Sequence, residues 1–247
     1  MPLRKRTALI TGGSRGIGKG IAQELAREGV RIAISYRTNK TAAQTTLRLL
    51  QAHGVECFAV EADATDANKV QFLVDTVVER FGHLDILVNN VGDFNWRTVA
   101  ETSLEEWRDV VASNLFSVFY ASKAALPSMR SRRWGRIINL GAVGAERGFG
   151  QGTISAYAAA KAAVVSFTRS LAIEEAKHGV TVNIVNPSNI DERELTVEEA
   201  RRIKDARSPV GRPPSFEDVA AAVKFFASDS ADYITGQALN VTGGWML

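Results

Sequence analysis

The stretch Thr7-Ala-Leu-Ile-Thr-Gly-Gly-Ser-Arg-Gly-Ile-Gly18 decides the fold. Its apolar run, residues 7–11, predicts a short buried strand, and the apolar residues of 17–28 recur at helical spacing. Glycines in the turn between them let backbone N–H groups at the helix N-terminus approach a phosphate. Their spacing, Gly-x-x-x-Gly-x-Gly, differs from the common dinucleotide fingerprint. The alternative is that the turn only lets the helix pack closely on the sheet.

After this strand–turn–helix unit, predicted strands and helices alternate over almost the whole chain. With short connections, this order predicts right-handed crossovers and a parallel sheet covered by helices on both faces. We expect an α/β fold, a doubly wound Rossmann-like sheet of about seven strands in a single domain of residues 1–247. Predicted strands are 7–11, 31–36, 55–60, 86–89, 136–140, 180–185 and 238–241, and predicted helices are 17–28, 40–53, 67–81, 104–132, 156–177 and 216–228.

Composition and charge are those of an ordinary globular protein. The 247 residues are 45% hydrophobic and 23% charged, and 30 Lys and Arg against 27 Asp and Glu leave a net charge of +3. This excess is too small and too scattered to indicate a nucleic-acid surface. The apolar run near the N-terminus is too short for a signal sequence or a membrane span. We therefore expect a cytoplasmic protein that binds neither nucleic acid nor membrane.

Cysteine and histidine are sparse. Cys57 is the only cysteine, and His53, His83 and His178 are far apart in the sequence. Zinc-type spacing does not occur, so no metal site is expected.

Tyr157 and Lys161 stand four residues apart in Ser155-Ala-Tyr-Ala-Ala-Ala-Lys161. On a helix, positions i and i+4 share a face. An ammonium beside a phenol favours the phenolate and lowers a pKa that starts near ~10. A phenol tuned in this way can donate a proton to a carbonyl that is becoming an alkoxide. The pair therefore predicts the proton donor of a carbonyl reduction.

The end of the second predicted strand indicates the cofactor. NAD enzymes carry an acid there for the ribose 2′-hydroxyl. This chain has Arg37 instead, and Arg15 projects from the glycine turn. Two guanidinium groups suit a 2′-phosphate, so NADP(H) is preferred over NAD(H). Asp63, after the third strand, either accepts a hydrogen bond from the adenine amino group or caps the next helix. The turn contributes the predicted cofactor residues Gly12, Ser14, Arg15, Gly16, Ile17 and Gly18.

These residues resemble the short-chain dehydrogenase/reductase family, and the resemblance covers essentially the whole chain. Its general character is that of the bacterial 3-oxoacyl-(acyl-carrier-protein) reductase branch. The glycine turn, the Tyr-x-x-x-Lys pair, Tyr233-Ile-Thr-Gly-Gln237 and Gly243-Gly244 match family motifs. Asn89-Asn-Val-Gly92 resembles the family's Asn-Asn-Ala-Gly, with valine in the alanine position.

The resemblance implies the reaction and the roles of particular residues. NADPH would pass a hydride to the ketone carbon of a small carbonyl compound or a 3-oxoacyl thioester, giving a secondary alcohol. Tyr157 would donate the proton, and Lys161 would lower its pKa and bind the nicotinamide ribose. Asn114, in a helix that the family kinks, would hold a water that relays protons to Lys161. The resemblance also assigns to the cofactor site Tyr157, Asn90, Gly92 and Pro187.

The chain departs from the family pattern at three positions. Ala142 occupies the position of the catalytic serine, and losing one such donor typically costs ~10²–10³ in rate. Ser188 follows Pro187 where the family has glycine, and Glu192 stands where a threonine is expected near the phosphates. Ser188, Thr153 or a bound water are candidates to replace the hydroxyl. Ser155 instead is expected to be a helix N-cap.

Two loops and a charged segment are candidates for the substrate side. Phe94 and Trp96 follow the fourth predicted strand, and Phe149 follows the fifth, beyond Ala142. Surface or subunit packing explains these aromatic residues equally well. The segment 191–214 is a candidate lid, with a short helix predicted at 198–206.

The resemblance also bears on partners. Family members usually form homotetramers through the predicted helices 104–132 and 156–177 and the C-terminal strand. Arg130, Arg132 and Arg133 lie near the helix end that meets acidic carrier protein in the resembling reductases. A substrate bound to acyl carrier protein is therefore one of the alternatives.

Two other functions are left open. A dinucleotide-binding protein with vestigial catalysis, which senses NADP(H) or acts through partners, would explain Ala142 and the changes at 188 and 192. The intact Tyr157, Lys161 and Asn114 count against it. An enoyl reductase of the related branch is disfavoured, because that group has its Tyr and Lys seven residues apart and this chain has them four apart.

Overall fold

Seven parallel strands form the central sheet of the computed structural model, which describes residues 3–190 and 194–246. The five inner strands are mostly buried, as expected for a sheet covered on both faces, and the two edge strands are mostly half-buried. The strands are β1 (Thr7–Ile10), β2 (Arg31–Tyr36), β3 (Cys57–Glu61), β4 (Ile86–Asn89), β5 (Gly135–Leu140), β6 (Val180–Pro187) and β7 (Ala238–Val241).

The strand order is β3-β2-β1-β4-β5-β6-β7. The chain builds outward from β1 to β3 and then returns to place β4 on the other side of β1. In register, Leu9 of β1 pairs with Ala33 of β2 and with Leu87 of β4. Such a reversal opens a crevice at the carboxyl ends of the two strands. The predicted doubly wound α/β fold is confirmed.

Helices cover both faces of the sheet because successive strand residues point to opposite sides. Ile10 and Ile32 share one core cluster with helices α1, α2 and α8. Leu9 and Ala33 share the other cluster with α3, α5 and α6. The helices are α1 (Gly16–Arg27), α2 (Lys40–Gln51), α3 (Ala67–Phe81), α4 (Leu104–Val111), α5 (Ser117–Arg132), α6 (Ser155–Glu175), α7 (Val197–Arg201) and α8 (Phe216–Ala227).

The predicted helix 104–132 contains a π-helical turn, Ala112–Phe116, between α4 and α5. The turn adds a residue to the helical repeat and carries Asn114 into the interior, where it is fully buried. Such single π turns are frequent at functional sites. Hydrophobic periodicity cannot reveal it, because both flanking helices keep the same apolar spacing.

Ser155 is not the N-cap of α6, so that expectation was wrong. The helix begins at Ser155 itself, and Ile154 occupies the N-cap position without a side-chain hydrogen bond. Ile154 is fixed there by a bridge to Arg97, whose N–H donates to Thr153 O at 2.7 Å. The loop after β4 thus decides where α6 starts.

The three arginines considered for a carrier protein make contacts within the chain. Arg130 donates two hydrogen bonds to the buried carboxylate of Glu175. The Arg132 guanidinium lies 3.3 Å from Asp85, and Arg133 donates to a backbone carbonyl of residue 177 at 3.4 Å. All three lie where α5 ends, at the edge of the sheet opposite the crevice.

Among the residues that the structure describes, no helix is long and apolar enough to cross a membrane. The same residues contain no cluster of three or more His, Cys, Asp or Glu side chains suited to a metal ion.

Candidate active site

The glycine turn is held by hydrogen bonds from both neighbouring strands. From the β4 side, Asn90 Nδ2 donates to Thr11 O at 3.0 Å and to Gly12 O at 3.2 Å. From the β2 side, Ser35 Oγ accepts from Gly12 N at 3.1 Å. Below the turn, Thr46 of α2 donates to Ser14 O at 2.9 Å. These contacts fix the turn before any ligand binds.

The glycines of the turn have two different functions. A Cβ added to Gly13 would lie 2.6 Å from Ile34 Cγ2, and one added to Gly18 would lie 2.6 Å from Gly12 O. These two glycines allow close packing on the sheet. Gly16 has a φ of +55° and no described atom within 4 Å of its Cβ position, so its Cβ side is open to a ligand. Close packing and ligand approach are therefore both built into the turn.

A cleft of about 450 Å³ follows the glycine turn along the carboxyl ends of β1, β2, β3 and β4. It lies at the reversal of strand order, where open α/β sheets bind ligands. It brings together most of the residues that the sequence assigns to a cofactor. These are Gly12, Ser14, Arg15, Gly16, Ile17, Arg37, Asp63, Asn90 and Gly92.

Four predicted cofactor residues do not line this cleft. Tyr157 and Lys161 lie on α6, and the other two lie elsewhere. Gly18 packs beneath the turn. Pro187 ends β6, and its carbonyl accepts from Val143 N at 3.2 Å.

Charged side chains line the outer end of the cleft. The Arg37 guanidinium lies 3.5 Å from the Asp93 carboxylate, and both side chains are more than half exposed. Asp63 accepts from Thr65 N at 2.9 Å and from Thr65 Oγ1 at 2.7 Å. These bonds hold the pKa of Asp63 below its ordinary value. The cap of α3 is Asp66, so capping does not account for Asp63.

Tyr157 and Lys161 lie on one face of α6 near the inner end of the cleft. The Lys161 ammonium is buried, lies 5.6 Å from the centroid of the Tyr157 ring and donates to Leu140 O at 2.7 Å. That carbonyl belongs to the last residue of β5. The strand therefore fixes where the ammonium lies relative to the phenol.

Burial shifts both pKa values toward the neutral forms. It raises the pKa of Tyr157 to about 12 and lowers the pKa of Lys161 to about 8. The expectation that Lys161 lowers the pKa of Tyr157 is not met in this structure, because desolvation dominates at both groups. At neutral pH Tyr157 is a protonated phenol, and most Lys161 side chains carry a charge.

Asn114 presents a buried carbonyl oxygen to the same region. Its Nδ2 donates to Asp93 O at 2.7 Å and to Val110 O at 2.9 Å, which fixes the orientation of the amide. Its Oδ1 is buried without a hydrogen-bond partner among the described residues. A Cβ built on Gly92 would lie 2.3 Å from this oxygen and 3.4 Å from Lys161 Nζ. Gly92 thus leaves room in which the Asn114 oxygen and the Lys161 ammonium converge.

Aromatic side chains border Tyr157. Phe94 packs edge to face on Tyr157, with ring centroids 4.8 Å apart, and Trp96 packs in the same manner on Phe94, also at 4.8 Å. Trp96 is 63% exposed, so this wall reaches solvent. Phe149 instead packs against Gly144 and a core cluster that includes Val164. Of the predicted aromatic pocket residues, the structure brings Phe94 and Trp96 to Tyr157.

The missing serine has no evident replacement in the structure. Ala142 is buried. Thr153 is exposed and donates to Gly152 O. Ser188 Oγ is buried without a partner in the described part of the chain, and Ser188 N donates to Val241 O of β7. Glu192 lies outside the described residues.

Sequence reasoning missed one group at the glycine turn. Glu194 Oε1 accepts a hydrogen bond from Gly16 N at 2.6 Å, and its second oxygen pairs with the Lys19 ammonium. The residues in contact are separated by 178 positions. The charged run at 191–194 was the only signal in the sequence, and it did not indicate this contact.

Comparisons with known proteins agree with this geometry. The model of a family described as enoyl-(acyl carrier protein) reductase matches residues 12–246. The 3-oxoacyl-[acyl-carrier-protein] reductase FabG of Staphylococcus aureus is 40% identical over 242 residues, covering 97% of each chain. The FabG of Vibrio cholerae is 40% identical over 247 residues, covering 99% of this chain and 98% of the relative. A solved putative 3-oxoacyl-reductase from Bacillus thuringiensis has a TM-score of 0.90 at 34% identity, covering 97% of each chain.

The chain belongs to the short-chain dehydrogenase/reductase family of oxidoreductases. The resemblance carried by the sequence motifs is confirmed over nearly the full length.

Substitutions in the glycine turn separate packing from ligand approach. We expect Gly18→Ala to lower the free energy of unfolding by about 2 kcal/mol, because the added methyl strikes Gly12 O and the Asn90 amide. Gly16→Ala meets no neighbour and costs about 1 kcal/mol for its left-handed backbone. Urea unfolding of both variants measures the difference. Equal losses would mean that Gly18 has no packing function.

Proposed function

We propose that this protein is an NADPH-dependent reductase that converts a ketone to a secondary alcohol, with Tyr157 as the proton donor. The first candidate substrate class is a 3-oxoacyl thioester, as in the names of the curated relatives. The observation that carries the proposal is the convergence of the Lys161 ammonium and the Asn114 oxygen beside Gly92, with the Tyr157 ring centroid 5.6 Å from the ammonium.

The residues of the cleft fit a dinucleotide phosphate. No described atom lies within 4 Å of the Gly16 Cβ position, so a phosphate that displaces the Glu194 carboxylate from Gly16 N would reach the first N–H groups of α1. Arg15 and Arg37 supply the two guanidinium groups that a 2′-phosphate needs, and no carboxylate ends β2. The Arg37 pair with Asp93 is exposed and is therefore cheap to break. When bound, the nicotinamide supplies the hydride.

The proton chemistry supports reduction at neutral pH. Because the pKa of Tyr157 is raised, the phenol carries the proton that the new alkoxide needs. The nearby charge of Lys161 stabilises the phenolate left after transfer. Asn114 Oδ1, a buried acceptor without a hydrogen-bond partner among the described residues, suits the water of a relay that returns a proton toward Lys161. Asn114 acts through this water.

The Tyr157–Lys161 interval and the residues beside Tyr157 favour a ketone substrate over an enoyl compound. The family description names an enoyl reductase, but the four-residue Tyr–Lys interval is that of the ketone-reducing branch. Phe94 and Trp96 offer an apolar wall to an acyl or aromatic group beside Tyr157. The engagement of Arg130 and Arg132 with carboxylates of the chain itself favours a free small-molecule thioester over a carrier-bound one.

The proposed function includes the assembly state and location of the protein, and we propose a cytoplasmic homotetramer. Phe116 and Phe119, which are 46% and 43% exposed on the helices that the family uses for contacts, favour burial against a second copy. The segment 191–214 is proposed as the lid, and its short helix spans Val197–Arg201.

Tyr157→Phe tests the central role. The variant keeps the ring that packs on Phe94 but lacks the proton, so we expect turnover to fall by about 10³-fold or more while NADPH still binds. NADPH oxidation with a short 3-oxoacyl thioester and a fluorescence titration of NADPH measure the two effects. Tyr233→Phe is the matched control, since Tyr233 is fully exposed. Turnover retained in Tyr157→Phe would exclude the phenol as the proton donor.

Arg37→Ala tests the cofactor preference. We expect the variant to bind NADPH about tenfold more weakly and NADH unchanged, because one charge-assisted contact to the 2′-phosphate is lost. Dissociation constants for both dinucleotides give the ratio. Arg48→Ala, an exposed arginine on α2, serves as control. Unchanged NADPH affinity in Arg37→Ala would contradict the assignment of this residue.

Ala142→Ser tests the missing hydroxyl. We expect kcat to rise by about tenfold or more, because the added donor can polarise the substrate carbonyl. Ala142→Cys has a similar size but is a weak donor and is expected to leave kcat near the native value. If the Ala142→Ser variant is folded and its kcat does not rise, a hydrogen-bond donor at position 142 is not needed for the reaction. If neither the native protein nor the variant turns over substrate although both bind NADPH, the result would favour a protein that senses NADP(H).

A further inference from the structure

We propose that Glu194 is an internal competitor of the cofactor's diphosphate. Its carboxylate occupies the first free N–H of α1 and leaves when a dinucleotide binds, so that this one residue sets the affinity for the cofactor. The inference rests on the proposed NADP(H) function of the cleft.

The contacts of Glu194 are those of a bound anion. One carboxylate oxygen accepts from Gly16 N at 2.6 Å, and the other pairs with the Lys19 ammonium one turn along the helix. Gly16 N is among the first N–H groups of a helix, which have no partner within the helix. A phosphate at a helix N-terminus uses the same kind of N–H donor and nearby cation. The carboxylate therefore takes the place where a phosphate oxygen is expected.

The local charge suits a ligand more negative than one carboxylate. Burial raises the pKa of Glu194, but the hydrogen bonds from Lys19 and Gly16 N and the charge of Arg15 outweigh it and hold the pKa below its ordinary value. Glu194 is thus an anion at neutral pH. The positive end of α1, Lys19 and Arg15 together offer more charge than this single anion neutralises.

Glu194 is not an ordinary helix cap. The N-cap residue of α1 is Arg15, which makes no side-chain capping bond, and Glu194 reaches the helix from 178 residues along the chain. Its own backbone has a φ of +51°, a left-handed conformation that residues other than glycine disfavour. The contact is therefore made from a backbone conformation that is costly for a residue other than glycine.

Competition of this kind reduces the apparent affinity for the cofactor. The intrinsic association constant is multiplied by the fraction of molecules in which the Gly16 N–H is free. A reductase must release its oxidised cofactor in every cycle. A carboxylate that returns to Gly16 N would assist that release without touching the nicotinamide or the substrate. The consequence is measurable as cofactor affinity.

The test compares Glu194→Gln and Glu194→Ala with the native protein in fluorescence titrations of NADPH. We expect both variants to bind NADPH about tenfold more tightly, because a charged hydrogen-bonded competitor is removed. Glu198→Gln is the matched control, a glutamate of α7 paired only at the surface with Arg202. Calorimetry with adenosine 2′-monophosphate provides a second ligand. It has no 5′-phosphate to reach Gly16, so its affinity should rise much less than that for NADPH, through the charge of Arg15 alone.

The outcomes separate the two proposals. Equal or weaker NADPH binding by both Glu194 variants would overturn the role of Glu194 and leave the proposed function intact. No NADPH binding by the native protein or the variants would overturn the proposed function and this inference together. A gain for adenosine 2′-monophosphate as large as that for NADPH would also overturn competition at Gly16. Faster hydrogen exchange of the Gly16 amide in ligand-free Glu194→Ala, with native circular dichroism, is expected alongside the tighter binding.

Discussion

The amide of Asn90 joins the two strands between which the sheet reverses, and the geometry of the site depends on it. By donating to the carbonyls of Thr11 and Gly12, it ties the end of β4 to the glycine turn that follows β1. Gly92, two residues further on, is thereby fixed beside Asn114 and Lys161. One side chain therefore sets the distance between the end of the cleft suited to phosphates and the end that carries the reactive groups.

Burial is what makes the inner end of the cleft chemically distinct. Removing a phenol and an ammonium from water favours the neutral form of each, which moves their pKa values apart, to about 12 and about 8. In the described part of the chain, the Lys161 ammonium donates a hydrogen bond to Leu140 O, and the Asn114 oxygen accepts none. A site with donors and an acceptor left unsatisfied is costly in the folded protein. Such a cost is typical of positions kept for a ligand or a water.

The sheet, its order of elements and the Tyr157–Lys161 pair could be predicted because they depend on local spacing. Strands β2, β4 and β7 have the predicted bounds. The rest depends on contacts between distant residues. The π turn at Asn114 and the start of α6 at Ser155 are set by tertiary contacts. The contact of Glu194 with Gly16 spans 178 residues, and the pKa of Tyr157 follows from burial that no motif encodes. Phe149 follows the fifth strand, where a pocket residue is expected, but its partly buried side chain packs against a core cluster.

The chain of aromatic rings from Tyr157 through Phe94 to Trp96 has an optical consequence. The indole is 63% exposed and stands two ring contacts from the phenol. A ligand that packs on this indole replaces water with apolar atoms, and indole emission shifts to shorter wavelength when water is removed. The protein thus carries a chromophore at the mouth of the site. Entry of a transparent, non-fluorescent ligand that covers Trp96 is expected to shift the Trp96 part of the emission, to which Trp107, Trp134 and Trp245 also contribute.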